Sequence, residues 1–362
     1  MRSYEHASGR YVAGAALHED DGYIDPRSGT LAKDANQKVI LYKVSQDHPR
    51  FRREVISRDV ERMKGLSHPN IVRVHQCWEH MDGFHFVEDL PRGEHLLTGL
   101  ISHWPDFSER DAAEISAGVV RGIAYLHEQG IAHRELNVSS VVVDREEGGR
   151  TSSVKIVDLS LQSLREIEDA KAIRRSEFPP YHLAPECVVD DLGDESFSTP
   201  PGDGPCADLW SIGVLVYTML SGYPPIRSRD RRFLPQALKE GKVEFGEEVW
   251  QDPRMESAKH FVGLLLQVDA SARKAAKELE GEAWLADAAE RSTSPLDIKD
   301  RIKDYKTRRR KRHLKTVVRA MTLTQRLASQ AKLVSSDKKN HNQDLVNLVQ
   351  TSMPAVNGET EK

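Results

Sequence analysis

The chain reads as an α+β protein in two unequal parts, a small strand-rich lobe followed by a larger helical lobe. Three observations predict this: short apolar runs of strand character precede Leu90, helical periodicity takes over from Ser108, and no internal repeat relates the two parts. KVILYKV (38–44) is the first secure strand, and residues 1–37, rich in Gly, Asp and Ser, leave open whether degenerate first strands and a loop precede it. Phe51, Val55, Met63 and Leu66 have helical spacing, and the HPN at 68–70 stops that helix. IVRVHQCWE (71–79) and FHFVEDL (84–90) read as strands. The helices expected next are ERDAAEISAGVVRGIAYLHEQG (109–130), closed by a Gly, then DLWSIGVLVYTMLSG (208–222) and SAKHFVGLLLQV (257–268). The segment after Asp287 reads as one basic helical pattern, and 336–362 as a polar, disordered tail.

With 362 residues and 38% hydrophobic content, the chain is long enough for a two-lobed core. A charged fraction of 30% and the lack of a long apolar run argue against a membrane span, and MRSYEHASGR lacks the apolar core of a secretory signal. Cys77, Cys187 and Cys206 are too few and too scattered for a disulfide framework or a CxxC metal site, so a reducing compartment and no structural metal are expected. The net charge of −4 hides an uneven distribution: Lys299 to Lys332 holds 13 Lys/Arg against 2 Asp, a surplus of +11.

Seven landmarks run in order along the chain: VILYK, LSHPNIV, IAHRELN, VKIVDLS, LAPE, ADLWSIGVLVYTMLSGYPP and LLQVDASARKAAKELEGEAWL. Together they resemble the protein-kinase signature set. The later helices, the SGYPP step and the closing basic helix are similar to the calcium/calmodulin-dependent group. The resemblance implies a two-lobed kinase fold over 38–287, preceded by 1–37 and followed by a regulatory, calmodulin-binding helix over 288–335. It also implies ATP and Mg²⁺ as cofactors, which the departures below put in doubt.

Phosphoryl transfer asks a kinase to position and neutralise phosphates, so each station is testable by its residue. The resemblance places Lys43 where the family's strand lysine holds the α- and β-phosphates; the alternative is a lysine snorkelling at the sheet edge. Asp59 stands where the helix carboxylate pairs with that lysine, and is one methylene shorter than the usual Glu. No GxGxxG precedes Lys43. The best register sets Gly22 as the third glycine and would bring Glu19, Asp20 and Asp21 against triphosphate, which like charge opposes.

The catalytic loop departs most. HREL puts Glu135 at the position of the catalytic Asp, and a displacement of about 1 Å can cost on the order of a hundredfold in rate. Asn137 replaces the lysine that contacts the transferred phosphate, Ser140 replaces the asparagine that holds the second Mg²⁺, and Ser139 replaces an acidic residue. Asp158 of DLS matches the principal metal ligand; its bland alternative is a capped turn at a strand end. The resemblance assigns adenine to the backbone of the hinge at Val87 to Leu90, through Glu88 and Leu90, and assigns ribose to Glu94. Scaffold residues are better kept: His133, Leu159, Met63 and Val74 match an apolar column, Asp208 an anchor of the catalytic loop, and Glu186 with Arg273 a buried ion pair.

In RRRKRHLKTVVRAMTLTQRLASQ, Leu314, Val318, Met321 and Leu327 fall at positions 1, 5, 8 and 14 of a basic amphipathic helix. This is the helix-in-groove pattern of calmodulin targets, shared with helices that bind anionic membranes, while RRRKR also fits a nuclear-import signal. No EF-hand loop is present in the sequence, so calcium sensing would come from a calcium-loaded partner. The expectation is a cytoplasmic, possible nuclear, Ser/Thr-kinase-like scaffold that binds calmodulin. The alternatives are a slow kinase using Glu135 as base, and a kinase-fold protein whose basic helix targets membrane or nucleus.

Overall fold

The computed structural model describes residues 11–16, 24–31, 34–47, 53–81, 83–134, 136–146, 149–159, 181–188, 204–228, 230–298 and 301–302. The small lobe is an antiparallel sheet in the order β1 (Tyr11–Ala16), β2 (Ile24–Leu31), β3 (Asp34–Ser45), β5 (Gly83–Asp89), β4 (Val74–His80). Residues before Lys38 therefore contribute two strands, and the boundary drawn at 38 falls inside β3.

Helix α1 (Arg53–Lys64) has Glu54 in its first turn and Arg62 and Lys64 in its last, each placed to suit the helix dipole. Its Ile56 and Val60, one turn apart, pack against Val44, Cys77, Phe84 and Phe86, with Tyr42 at the edge of the cluster. The opposite face of β3 packs Val39 and Leu41 against Val87 and Trp78. A strand's side chains alternate between faces, so both faces of β3 bury apolar groups and its sequence shows no alternation.

Burial pushes the Cys77 thiol up to about 12. Cys187 is also buried, whereas Cys206 is exposed. One fast equivalent of a thiol reagent per native chain is expected, at Cys206, and three after unfolding; rapid labelling of Cys77 in the native state would contradict this packing.

The large lobe follows a second antiparallel sheet formed by β6 (Glu94–His95), β7 (Val141–Arg145) and β8 (Thr151–Ile156). After the short α2 (Leu96–Thr98), Ser108 caps α3 (Glu109–Glu128) in a reciprocal box with Asp111. Helix α4 (Pro205–Ser221) starts with proline at its first position and is buried on every side from Ala207 onward, as its largely apolar sequence requires, with Asp208, Ser211, Thr218 and Ser221 as buried polar exceptions. It ends at Gly222, where φ is +79° and an added Cβ would lie 2.8 Å from Cβ of Arg301. Helices α5 (Leu234–Glu240) and α6 (Glu256–Leu265) follow, and then two single-turn helices at Ala276–Leu279 and Ala283–Ala286. Among the described residues, no helix is long and apolar enough to cross a membrane.

The turn after α1 joins the lobes. Asn70 donates its side-chain amide to the Val154 carbonyl at 2.9 Å, Ile156 N–H donates to Asn70 O at 2.8 Å, and Val72 N–H to Ile156 O at 2.9 Å. The HPN thus stops a helix and also stitches the small lobe to β8.

One expectation needs correction. The stretch from Ala288 is not a continuous helix: a 3₁₀ turn at Ala288–Glu290 gives way to extended chain, with Pro295 bridged to Ser108 and Leu296 N–H bonded to Phe107 O at 2.8 Å. Proline lacks the N–H that a helix needs and disfavours helical backbone in the residue before it. Ile298 and Ile302 are buried in the large-lobe core, so the boundary drawn at 287 cuts through packed chain.

Candidate functional site

The catalytic loop hangs from one buried carboxylate. Asp208, at the start of α4, accepts from His133 N–H at 2.7 Å and from Arg134 N–H at 2.6 Å, and lies 2.8 Å from His127 Nε2. Among the described residues, the non-glycine residues with positive φ are Arg134 (70°) and Asp158 (67°), one on each side of the reaction centre. Such backbone costs on the order of 1–3 kcal/mol per residue and persists where surroundings impose it, as Asp208 does at Arg134. Met63, Val74 and Leu159 share the continuous core that runs between the lobes, and His133, fully buried, places Nε2 3.0 Å from Val157 O.

Asn137, Ser140 and Asp158 are brought together where β8 ends, because Val157 N–H donates to Ser140 O at 2.9 Å. Ser140 is buried, and its hydroxyl is used inside the loop: Oγ accepts from Asn137 N–H at 2.8 Å and donates to Asn137 O at 2.9 Å. Asn137 Oδ1 accepts from Ser139 N–H at 2.8 Å. The residues that replace the phosphate-contacting lysine and the second metal ligand thus form a closed turn. Glu135 lies outside the described residues, as do Gly22, Glu19, Asp20, Asp21 and the calmodulin-binding positions Leu314, Val318, Met321 and Leu327. Asp59 belongs to α1 by its backbone, but its side chain is outside the description.

The hinge has committed its donors. Asp89 N–H bonds to Arg73 O at 3.0 Å, Leu90 N–H bonds to Lys38 O at 3.1 Å, and Pro91 has none. From 89 to 91 no amide hydrogen is left over for a base. Glu94, the expected ribose ligand, faces His103 with Oε2 2.5 Å from Nδ1. Asp89 in turn pairs with His75. Sequence reasoning missed these pairings, which join residues 9 and 14 positions apart and leave no local pattern.

Lys43 and Tyr42 are consecutive on β3 and so leave it on opposite faces. The cross-strand neighbours of Lys43 are Asp25 on β2 and His85 on β5, whereas Tyr42 stands opposite Phe86, a member of the α1 cluster. By strand alternation the Cβ of Lys43 leaves β3 on the face of Val39 and Leu41, and the pairing expected with Asp59 falls on a side chain outside the described residues. Tyr42 is on the α1 face. Burial first, then the carboxylates of Glu88 and Asp158, hold its phenol well above the usual tyrosine range.

A two-lobed fold with this loop anchor, this inter-lobe core and a buried ion pair between Glu186 and Arg273 defines a class, and comparison with known proteins agrees. The protein kinase domain model matches residues 29–285, and the chain belongs to the protein kinase family. Within that family it falls in the calcium/calmodulin-dependent-kinase-like group. It is 29% identical over 257 residues to a probable myosin light chain kinase of Dictyostelium discoideum, covering 71% of this chain and 78% of that protein. It is 26% identical over 302 residues to a calcium/calmodulin-dependent protein kinase type 1 of Macrobrachium nipponense, covering 82% of each. It is 28% identical over 274 residues to a calcium and calcium/calmodulin-dependent serine/threonine-protein kinase of Lilium longiflorum, covering 75% of this chain and 48% of that one.

Proposed function

We propose that the chain is a calmodulin-binding signalling scaffold of the calcium/calmodulin-dependent kinase type with little or no phosphotransfer. The observation that carries this reading is the hinge, where the N–H groups of Asp89 and Leu90 are bonded to Arg73 and Lys38 and Pro91 offers none. A base placed there would break a backbone bond before making its own, which removes most of the net gain of about 1 kcal/mol per hydrogen bond. The inward-turned Ser140 and the Glu94–His103 pair support the same reading, because the groups present do not fit Mg-ATP at the second metal or the ribose. Similarity to calcium/calmodulin-dependent kinases, and the spacing of Leu314, Val318, Met321 and Leu327, support calcium-loaded calmodulin as the partner. A cytoplasmic location goes with this reading, with RRRKR as a route to the nucleus.

The slow-kinase alternative rests on Asp158, which is kept at the end of β8 and within electrostatic reach of Tyr42. One set of measurements on the full chain separates the two. The scaffold reading expects no thermal shift at millimolar Mg-ATP, no transfer of labelled phosphate, and calcium-dependent calmodulin binding weakened about a hundredfold by Leu314→Glu with Leu327→Glu. Phosphate transfer abolished by Asp158→Ala would establish the kinase instead. Calcium-independent binding to anionic vesicles, without calmodulin binding, would favour a membrane role for the basic helix.

A further inference from the structure

Beside α5 the large lobe opens a cavity of about 550 Å³. The turn at Pro225 and Ile226 forms one wall, and Ala237 and Glu240, one turn apart on α5, form another. The third side is the chain that leaves α5 after Gly241. Its exposure alternates: Lys242, Glu244 and Gly246 are exposed, and Val243 and Phe245 are half-buried against the core of the lobe. A period of two is the mark of a strand with one face packed. The exposed set lines the cavity, and the space above Gly246 is open, since an added Cβ there would meet no atom within 4 Å. Among the described residues no strand pairs with this segment, and none of the N–H groups from Lys242 to Gly246 has an acceptor. Two of its carbonyls are met by side chains instead: the Tyr217 hydroxyl lies 2.8 Å from Glu244 O, and the Gln251 amide 3.0 Å from Phe245 O.

We propose that Lys242–Gly246 is a docking edge for an extended peptide of a client protein, which adds to it as a second strand and carries a lysine or arginine opposite Glu244. Unpaired amides along an extended segment supply main-chain bonds, and the alternate side chains supply the choice of partner. The charges set that choice. Glu247 is closed off, because its carboxylate takes Arg227 and the Tyr217 hydroxyl. Glu240 is met by the neutral Gln236 amide at 2.8 Å, and the Glu244 carboxylate and the Lys242 ammonium have no partner among the described residues. Glu240 and Glu244 therefore draw a basic side chain, and Lys242 draws an acidic one two positions along the peptide, as opposite charges do across paired strands. The residue opposite Gly246 has room to be large. The inference goes beyond the function proposed above and does not depend on it, for it uses no residue of the hinge or the catalytic loop, and an active kinase would keep the edge.

The test uses the full chain and an array of nonapeptides in which valine or threonine alternates with positions filled by arginine, glutamate or serine. Peptides with arginine and glutamate two positions apart are expected to bind best, and the amides of 242–246 are expected to exchange more slowly with solvent when the best of them is bound. N-methylation of that peptide, one amide at a time, is expected to weaken binding about tenfold at every second amide and to leave the others unchanged. Glu244→Arg is expected to weaken it about fivefold and to favour the version in which arginine is exchanged for glutamate. Gly246→Trp, whose new side chain enters open space, is expected to abolish binding while the fold is kept. The assignment is overturned if no peptide binds, if the bound peptide leaves amides 242–246 unprotected, or if N-methylation shows no period of two. Preference for glutamate-only peptides overturns the charge it assigns. Self-association of the chain that Gly246→Trp removes would give the edge to a second copy and overturn the client.

Discussion

Asp208→Ala is expected to destabilise the large lobe by about 3–5 kcal/mol, enough to unfold a marginal domain. The carboxylate is fully buried and holds His133 N–H, Arg134 N–H and His127 at once. Its loss strands a buried amide at His133 and a part-buried one at Arg134, at about 1–3 kcal/mol for a buried amide, and frees Arg134 from the positive φ that Asp208 imposes. Asp208→Asn keeps one acceptor and should cost roughly half as much. Urea denaturation of the three proteins checks the order. An alanine variant within 1 kcal/mol of wild type, with linear extrapolation, would show that the loop is not hung from this residue.

The second large effect is expected at Glu186. Arg273 is fully buried along its side chain and meets Glu186 through both terminal nitrogens, at 2.5 and 2.8 Å; it also donates to the carbonyls of Cys206 at 2.8 Å and Gln267 at 2.9 Å, and lies over the Trp210 ring. Glu186→Ala leaves that guanidinium buried with carbonyl partners only, at a cost of about 3–5 kcal/mol. Replacing both residues, as Glu186→Leu with Arg273→Met, should recover more than half of the loss, since the pair's own desolvation cost disappears with it. A double-mutant cycle measures this coupling, and simple additivity would refute it.

The architecture was legible because it rests on local signals. The Ser108 cap, the Gly222 stop, the largely apolar α4 and the HPN turn each bear a chemistry that short windows reveal. Asp208, Glu186 and Arg273 could be named because a buried charge needs a partner and the landmarks supplied one. The cleft was less legible. VILYK is apolar on both strand faces, so nothing local says which neighbours Tyr42 and Lys43 meet; only the cross-strand pairing of Tyr42 with Phe86 and of Lys43 with His85 decides it. The commitment of the Leu90 amide to Lys38 joins positions far apart in sequence, and the loop-internal bonds of Ser140 depend on backbone geometry that a residue type does not reveal. The basic stretch after Asp287 misled in its first part because its helical spacing continues through Pro295.

The stitch between Asn70, Val72 and Ile156 has a mechanical meaning. It fastens the end of α1 to the strand whose next residues are Val157 and Asp158, and Val157 is itself tied to Ser140. A pull on α1 is therefore transmitted along a short, stiff lever to the catalytic loop, whether or not a ligand sits between the lobes. Any rotation of the lobes that keeps these bonds must pivot at this pin, and the amides of Val72 and Ile156 are expected to exchange with solvent only when the pin itself opens.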